Sequence, residues 1–270
     1  MSSSLDKVGF IGTGNMATAI IKGFIENGVN SKYVYAYDID SEKLNKISKE
    51  YNITVVTSNI DVLEMADIIF LAVKPNIYPI ILNEIKNAVT DNHILISIAA
   101  GISTSYIHNT LGKESNIIRI MPNTPAIIGE GVIAICPNEN IDDKIFRHVK
   151  ELLSCLGQIE IVDENLINAV IGVSGSGPAY VFMFIEALAD GGVMMGLSRK
   201  QAYRMATQTL IGSAKMYRET KIHPSELKDM VCSPGGTTID AVYTLEKQNF
   251  RASIIEAVKV CAQKGEELSK

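Results

Sequence analysis

Residues 8–17 read VGFIGTGNMA: four residues of apolar strand, a GxGxxA turn and the start of an apolar helix. No other stretch restricts the fold so much. Gly12 allows a tight turn, and Gly14 lets the backbone approach a pyrophosphate. Ala17 permits close packing of helix on strand, and the helix N-terminus holds negative charge. Thr13, Asn15 and Met16 complete the loop. The alternative is a glycine-rich turn with no ligand. Context favours dinucleotide binding, because the pattern opens the first βαβ unit of an alternating chain.

That alternation continues to about Val162. Apolar, β-rich runs at Val8–Ile11, Tyr33–Tyr37, Thr54–Val56, Ile68–Val73, Ile94–Ile98, Asn116–Met121, Val132–Cys136 and Gln158–Val162 are separated by segments of helix length such as Met16–Asn27, Ser41–Tyr51 and Asp142–Leu156. Continuous apolar strands between helices predict an α/β fold, a doubly wound and mainly parallel sheet covered on both faces. The last two strands are expected as antiparallel edges.

After Val162 the strands stop. Glu164–Val173, Gly177–Gly196, Arg199–Glu219, Ser225–Val231, Thr238–Gln248 and Ala252–Ser269 read as helices. Ser198 suits an N-cap and Pro224 a first helical position. Phe182, Phe184, Ile185, Leu188, Val193, Met194 and Met195 nearly encircle their helix, which therefore needs burial. About 105 residues offer little room for that, so a partner subunit is expected to cover it. The pattern changes near Asp163 without a flexible linker, giving a dinucleotide-binding domain over 1–163 and an all-helical domain over 164–270.

Composition narrows the setting. With 47% hydrophobic and 20% charged residues the chain is globular rather than disordered. A formal charge of −5 gives no electrostatic case for nucleic acid or acidic membranes. Cys136, Cys155, Cys232 and Cys261 lie far apart, so neither a metal site nor a disulfide framework is expected. MSSSLDKVGF lacks the apolar region of a signal peptide, and no run reads as a transmembrane helix. A soluble, cytoplasmic protein is expected. His93, His108, His148 and His223 are scattered, read as solvated, and are assigned no catalytic role.

Open α/β sheets bind ligands outside the carboxyl ends of their strands. Tyr37-Asp38-Ile39-Asp40 ends the second strand, and Asp38 can accept from ribose hydroxyls and repel a 2′-phosphate. No Arg follows, and the nearest cation is Lys43, which leans the cofactor from NADPH towards NADH. Asp40 or Ser41 can simply cap the next helix, which is compatible with that role for Asp38. Leu71-Ala72-Val73-Lys74-Pro75 and Met121-Pro122-Asn123-Thr124-Pro125 end later strands and suit the nicotinamide pocket. Terminating a strand is the simpler use of those prolines.

One loop in the helical half holds more proline, glycine and threonine than a tight turn needs. Val231 to Val242 reads VCSPGGTTIDAV. Gly235 and Gly236 just before a helix can present several backbone N–H groups to a small anion. Thr237 or Thr238 can add a hydroxyl. The alternative is an interhelical turn with Thr237 as its N-cap. Ser174-Gly175-Ser176-Gly177-Pro178 opens the longest helix, where Ser176 suits the floor of a site and small residues equally suit close packing.

GTGNMA, AVKP, MPNTP, SGSGPAY and SPGGTT, in this order and with the tail Phe250–Val258, resemble pyrroline-5-carboxylate reductase over essentially the whole chain. The resemblance implies a Rossmann domain followed by a helical domain that interleaves with a second subunit, in dimers that commonly assemble into decamers. It implies reduction of a cyclic imine to L-proline with NADPH or NADH. Its substrate contacts would come from Ser233, Gly235, Gly236, Thr237 and Ser176. Thr237, with Thr238 beside it, would bond the ring nitrogen; an alkyl hydroxyl is a poor acid, so it orients the ring while the proton is already on the imine or arrives through water. Two positions depart from the family. The Asn-Arg-Thr-like stretch of NADPH-preferring members is Asp38-Ile39-Asp40 here, and Lys221-Ile222 stand where many members are acidic. The nearest rival, a β-hydroxyacid dehydrogenase, needs a Lys base and an Asn on the helix after a GxG. Val181 and Ile185 occupy those positions. A non-catalytic dinucleotide sensor would have no use for the second loop.

Overall fold

A computed structural model describes residues 7–268. The leader expectation for MSSSLD and the predicted helix end at Ser269 lie outside the described residues. In chain order the first part runs β1 (Val8–Ile11), α1 (Asn15–Glu26), β2 (Val34–Tyr37), α2 (Ser41–Tyr51), β3 (Thr54–Val55), α3 (Asn59–Met65), β4 (Ile68–Leu71), α4 (Tyr78–Ile85), β5 (Ile94–Ser97), α5 (Thr104–Leu111), β6 (Asn116–Pro122), β7 (Gly131–Pro137), α6 (Asp143–Leu153) and β8 (Gly157–Ile161). The eight strands lie in the order β3-β2-β1-β4-β5-β6-β7-β8. The doubly wound α/β reading holds.

β1 to β6 pair in parallel, β7 is antiparallel to β6, and β8 is parallel to β7. The last pair is therefore reversed, as expected, but only β8 is an edge. The cause is local. Residues 123–130 join β6 to β7 without a crossover helix, and a connection that short returns the chain antiparallel.

Alternation along the strands divides the core between the two faces of the sheet. Val8 and Phe10 pack with Ile20, Ile21 and Phe24 of α1. Ile11 and Leu71 pack on the other face with Val62, Leu82 and Ile107. Phe10 stacks on Phe70 at 4.8 Å between ring centroids, and Phe24 meets Phe70 edge-on at 5.8 Å. Each side chain of this size contributes about 1.5–3 kcal/mol when buried. The ends of β1 and β4 thus stand on a rigid base. Asp40 N-caps α2, accepting from the Glu42 and Lys43 amides.

The helical part comprises α7 (Ile167–Val170), a π-helical turn (Ile171–Gly175), α8 (Gly177–Met194), α9 (Arg199–Thr220), α10 (Pro224–Val231), α11 (Thr237–Lys247) and α12 (Phe250–Leu268). By contacts, one unit holds the chain through Gly175 together with the end of α12 from Cys261. Ser176–Val260 forms the other. Gly265 of α12 lies so close to α7 that a Cβ there would stand 2.8 Å from Asn168 Oδ1. Ser198 caps α9 in a reciprocal box with Gln201, and Pro224 opens α10.

Among α8 and α9 only Ala189, Ala202 and Ala206 are buried, while Phe182, Met183, Met194 and Met195 are exposed. An apolar surface of this kind marks an interface. The structure corrects one expectation here. The pieces from Glu164 to Met194 run on over 31 residues and contain an 18-residue window of mean hydropathy 1.4, long and apolar enough by length and composition for a membrane span. It is the same stretch that was predicted to need a partner subunit. His93 is a second correction. It is buried, with Nδ1 2.9 Å from the Thr90 amide and Nε2 2.9 Å from the Leu63 carbonyl, so it ties a loop to α3 instead of facing water.

Candidate active site

The switch in strand order falls between β1 and β4, where a crevice opens at the strands' carboxyl ends. Two predicted segments flank it. Gly12 sits at φ +96°, and a Cβ there would be 2.7 Å from the Ala72 carbonyl oxygen. Its amide donates to the Tyr37 carbonyl at 2.8 Å, while the Ala72 amide donates to Ile11 at 2.8 Å. The Gly12–Met16 and Ala72–Pro75 loops are therefore held side by side. Lys74 is exposed at the start of a 3-10 turn, Pro75–Ile77.

Gly14 is the N-cap of α1. No side chain caps that helix, and no acidic residue lies in its first turn. A Cβ on Gly14 would meet nothing within 4 Å. Uncapped amides, positive helix end and open space together suit a dinucleotide phosphate. Thr13, Gly14 and Asn15 border a cleft of about 460 Å³ that Lys22, Lys43 and Lys46 also line. Lys43 is paired with Asp40 at 2.9 Å.

Asp38 makes contacts that the sequence did not announce. One carboxylate oxygen accepts from the Thr13 amide at 2.6 Å and from the Thr13 hydroxyl at 3.0 Å; the other accepts from the Asp40 amide at 2.9 Å. A carboxylate offers about four acceptor sites. Asp38 uses three of them, two on Thr13 of the glycine loop and one on the Asp40 amide.

In the second unit, Ser233 to Gly236 form a tight turn. Gly235 has φ +65°, and the Gly236 amide donates to the Ser233 carbonyl at 3.0 Å. Gly236, not Thr237, is the N-cap of α11, and no side chain caps it. That corrects Thr237 as the cap of an interhelical turn, while the turn itself is present. Asp240 is the acidic residue of that first turn. Ser176 is the N-cap residue of α8, and its carbonyl accepts from the Ala179 amide at 3.0 Å.

Residues 164–268 match the family described as pyrroline-5-carboxylate reductase dimerisation, and residues 7–101 match one described as NADP oxidoreductase, coenzyme F420-dependent. The chain is 46% identical over 265 residues to pyrroline-5-carboxylate reductase of Escherichia coli, covering 98% of each. It belongs to the pyrroline-5-carboxylate reductase family. Solved structures agree. The Coxiella burnetii pyrroline-5-carboxylate reductase superposes with a TM-score of 0.91 at 33% identity, covering 99% of this chain and 100% of that one. The Plasmodium falciparum pyrroline carboxylate reductase with NADP bound gives 0.90 at 32%, covering 98% of each. As a member the chain is an NAD(P)H-dependent oxidoreductase that carries the family's dimerisation domain.

Two buried networks in this pyrroline-5-carboxylate reductase family member escaped the sequence reading. Arg119 is 4% exposed, and its Nη1 donates to Glu164 Oε1 at 3.0 Å. The Glu164 carboxylate also accepts from the Thr104 amide at 2.8 Å and hydroxyl at 2.7 Å. Tyr78 bonds the Leu71 carbonyl at 2.6 Å and the Ser97 hydroxyl at 2.9 Å, pinning the ends of β4 and β5; burial raises its pKa far above the usual tyrosine value. A lone Arg in NIIRIMP was the available signal for the first. Its partner lies 45 residues away.

Proposed function

We propose that this chain reduces 1-pyrroline-5-carboxylate to L-proline, the last step of proline biosynthesis. The reductant NAD(P)H supplies hydride to the imine carbon, and the nitrogen gains a proton. The observation that carries the reading is the uncapped start of α11 behind the Ser233–Gly236 turn. Backbone amides at Gly235 and Thr237 hold the substrate carboxylate, with Ser233 beside them and Gly236 closing the turn through its amide. The Thr237 hydroxyl, and Thr238 next to it, orient the ring nitrogen; Ser176 lines the floor. Holding a ring in reacting geometry lowers a barrier by several kcal/mol, about 7 or more in well-oriented cases.

The nucleotide is held by Gly12, Thr13, Gly14, Asn15 and Met16, by Asp38, and by Ala72, Val73, Lys74 and Pro75, with Asn123 supporting the far loop. NADH is favoured over NADPH. Asp38 stands at the loop as a carboxylate, and Lys43 is neutralised by Asp40. Residues 1–163 serve as the nucleotide domain and residues 164–270 as the substrate and dimerisation domain. The exposed apolar face of α8 supports a dimer; further assembly up to a decamer, in the cytoplasm and away from membranes, is carried by the family resemblance alone. The test is nucleotide consumption at 340 nm, with NADH and NADPH side by side. Turnover with pyrroline-5-carboxylate, and none with hydroxy or keto acids, is expected. Nucleotide binding without turnover would defeat the reading.

A further inference from the structure

Ser174 poses a problem in backbone pairing. In a regular helix its carbonyl would accept from the N–H four positions on. That residue is Pro178, which has no N–H. The chain passes this point in the π-helical turn Ile171–Gly175, a geometry that gathers at functional sites. The carbonyl left over accepts from Asn123 Nδ2 at 2.9 Å. The same amide is fixed at its other end, where Oδ1 accepts from the Val132 amide at 2.9 Å. Asn123 is buried. Its side chain thus joins the loop after β6, the start of β7 and the turn from which Ser176-Gly177-Pro178 departs.

We infer that Asn123 is a positioning residue, which supplies the donor that Pro178 lacks and so fixes where the chain enters α8. It acts through Ser174, not by touching the reacting atoms. The role deepens the reading above, because its effect on substrate rests on Ser176 lining the substrate site.

Five full-length variants test it: Asn123→Ala, Asn123→Asp, Pro178→Ala, the Asn123→Ala/Pro178→Ala double and Ser176→Ala. The readouts are melting temperature, NADH affinity by fluorescence, and kcat and KM for the imine. Asn123→Ala is expected to raise the imine KM about fivefold or more, a larger change than any loss of nucleotide affinity. Adding Pro178→Ala restores an N–H at residue 178 and recovers much of that loss. Asn123→Asp can donate to the Ser174 carbonyl only when its carboxyl is neutral. Its KM relative to that of the native protein at the same pH therefore improves as pH falls towards about 5. Asn123→Asp carries the test alone if Asn123→Ala does not fold. A lowered melting temperature with unchanged kinetic constants overturns the inference, as does no recovery in the double variant. An unchanged KM in Ser176→Ala beside a raised one in Asn123→Ala sinks the Ser176 assignment and leaves the latch standing.

Discussion

Gly14→Ala separates nucleotide binding from folding. The φ of −67° at Gly14 suits any residue, and the added methyl meets no atom within 4 Å. Replacing glycine restricts the unfolded chain, worth about 0.4–1 kcal/mol of stability. Alanine is also a poorer N-cap than glycine, by an amount of about the same size and opposite sign. The net change in stability is then within about 1 kcal/mol, a few degrees of melting temperature at most. Nucleotide binding should suffer far more. The methyl occupies the side on which a phosphate must approach the α1 amides. Losing one hydrogen bond to a charged group costs about 1.5–3 kcal/mol. At 1.4 kcal/mol per factor of ten, NAD(P)H should bind about ten- to a hundredfold more weakly. Quenching or transfer of nucleotide fluorescence gives the affinity, and thermal melting without nucleotide gives the fold. Unchanged affinity in a normally melting variant would refute the placement of the phosphate, and a melting temperature lowered by ten degrees would refute the reading of Gly14 as open.

Three further outcomes follow from the geometry. Thr237→Ala should slow turnover at least tenfold while sparing NADH affinity, with Thr238→Ala as its comparison; full activity in Thr237→Ala, by steady-state rates, would remove it from the site. Glu164→Ala strands the buried Arg119 guanidinium and should cost about 3 kcal/mol in urea unfolding, the low end for a broken buried pair because Glu164 is partly exposed. Arg119→Met with Glu164→Leu should regain most of that loss, and no regain would mean the charges are not the cause. Burial pushes the Cys136 thiol from 9.0 up to about 11, so the folded state holds this proton more tightly than the unfolded one. Its contribution is full below about pH 9 and fades as pH rises through about 11. Cys136→Ala should flatten the alkaline limb of a urea-midpoint profile, and an unaltered limb would assign the loss elsewhere.

Legibility from sequence depended on how local each signal was. VGFIGTGNMA carries strand, turn, N-cap and helix start within ten residues, so its fold and its ligand side were readable together. Asp40 as a cap and Ser198 with Gln201 were readable for the same reason. The Thr13–Asp38 clamp needs 25 residues of intervening chain to close, and nothing in either residue announces the other. Asn123 was read as a nicotinamide neighbour because MPNTP ends a strand; its bond to Ser174 spans 51 positions. The absent N–H of Pro178 did stand in the sequence. It could have flagged an orphaned carbonyl, though not the donor that meets it.

The close seat of Gly265 against Asn168 has a consequence for biosynthesis. Domains usually fold as they leave the ribosome, first-made part first. Here the sheet-bearing unit borrows a piece from the stretch beginning at Cys261, which is made after the whole of the other unit. The nascent sheet-bearing unit must therefore wait, the α7 side of this contact bare, until that later stretch has left the ribosome.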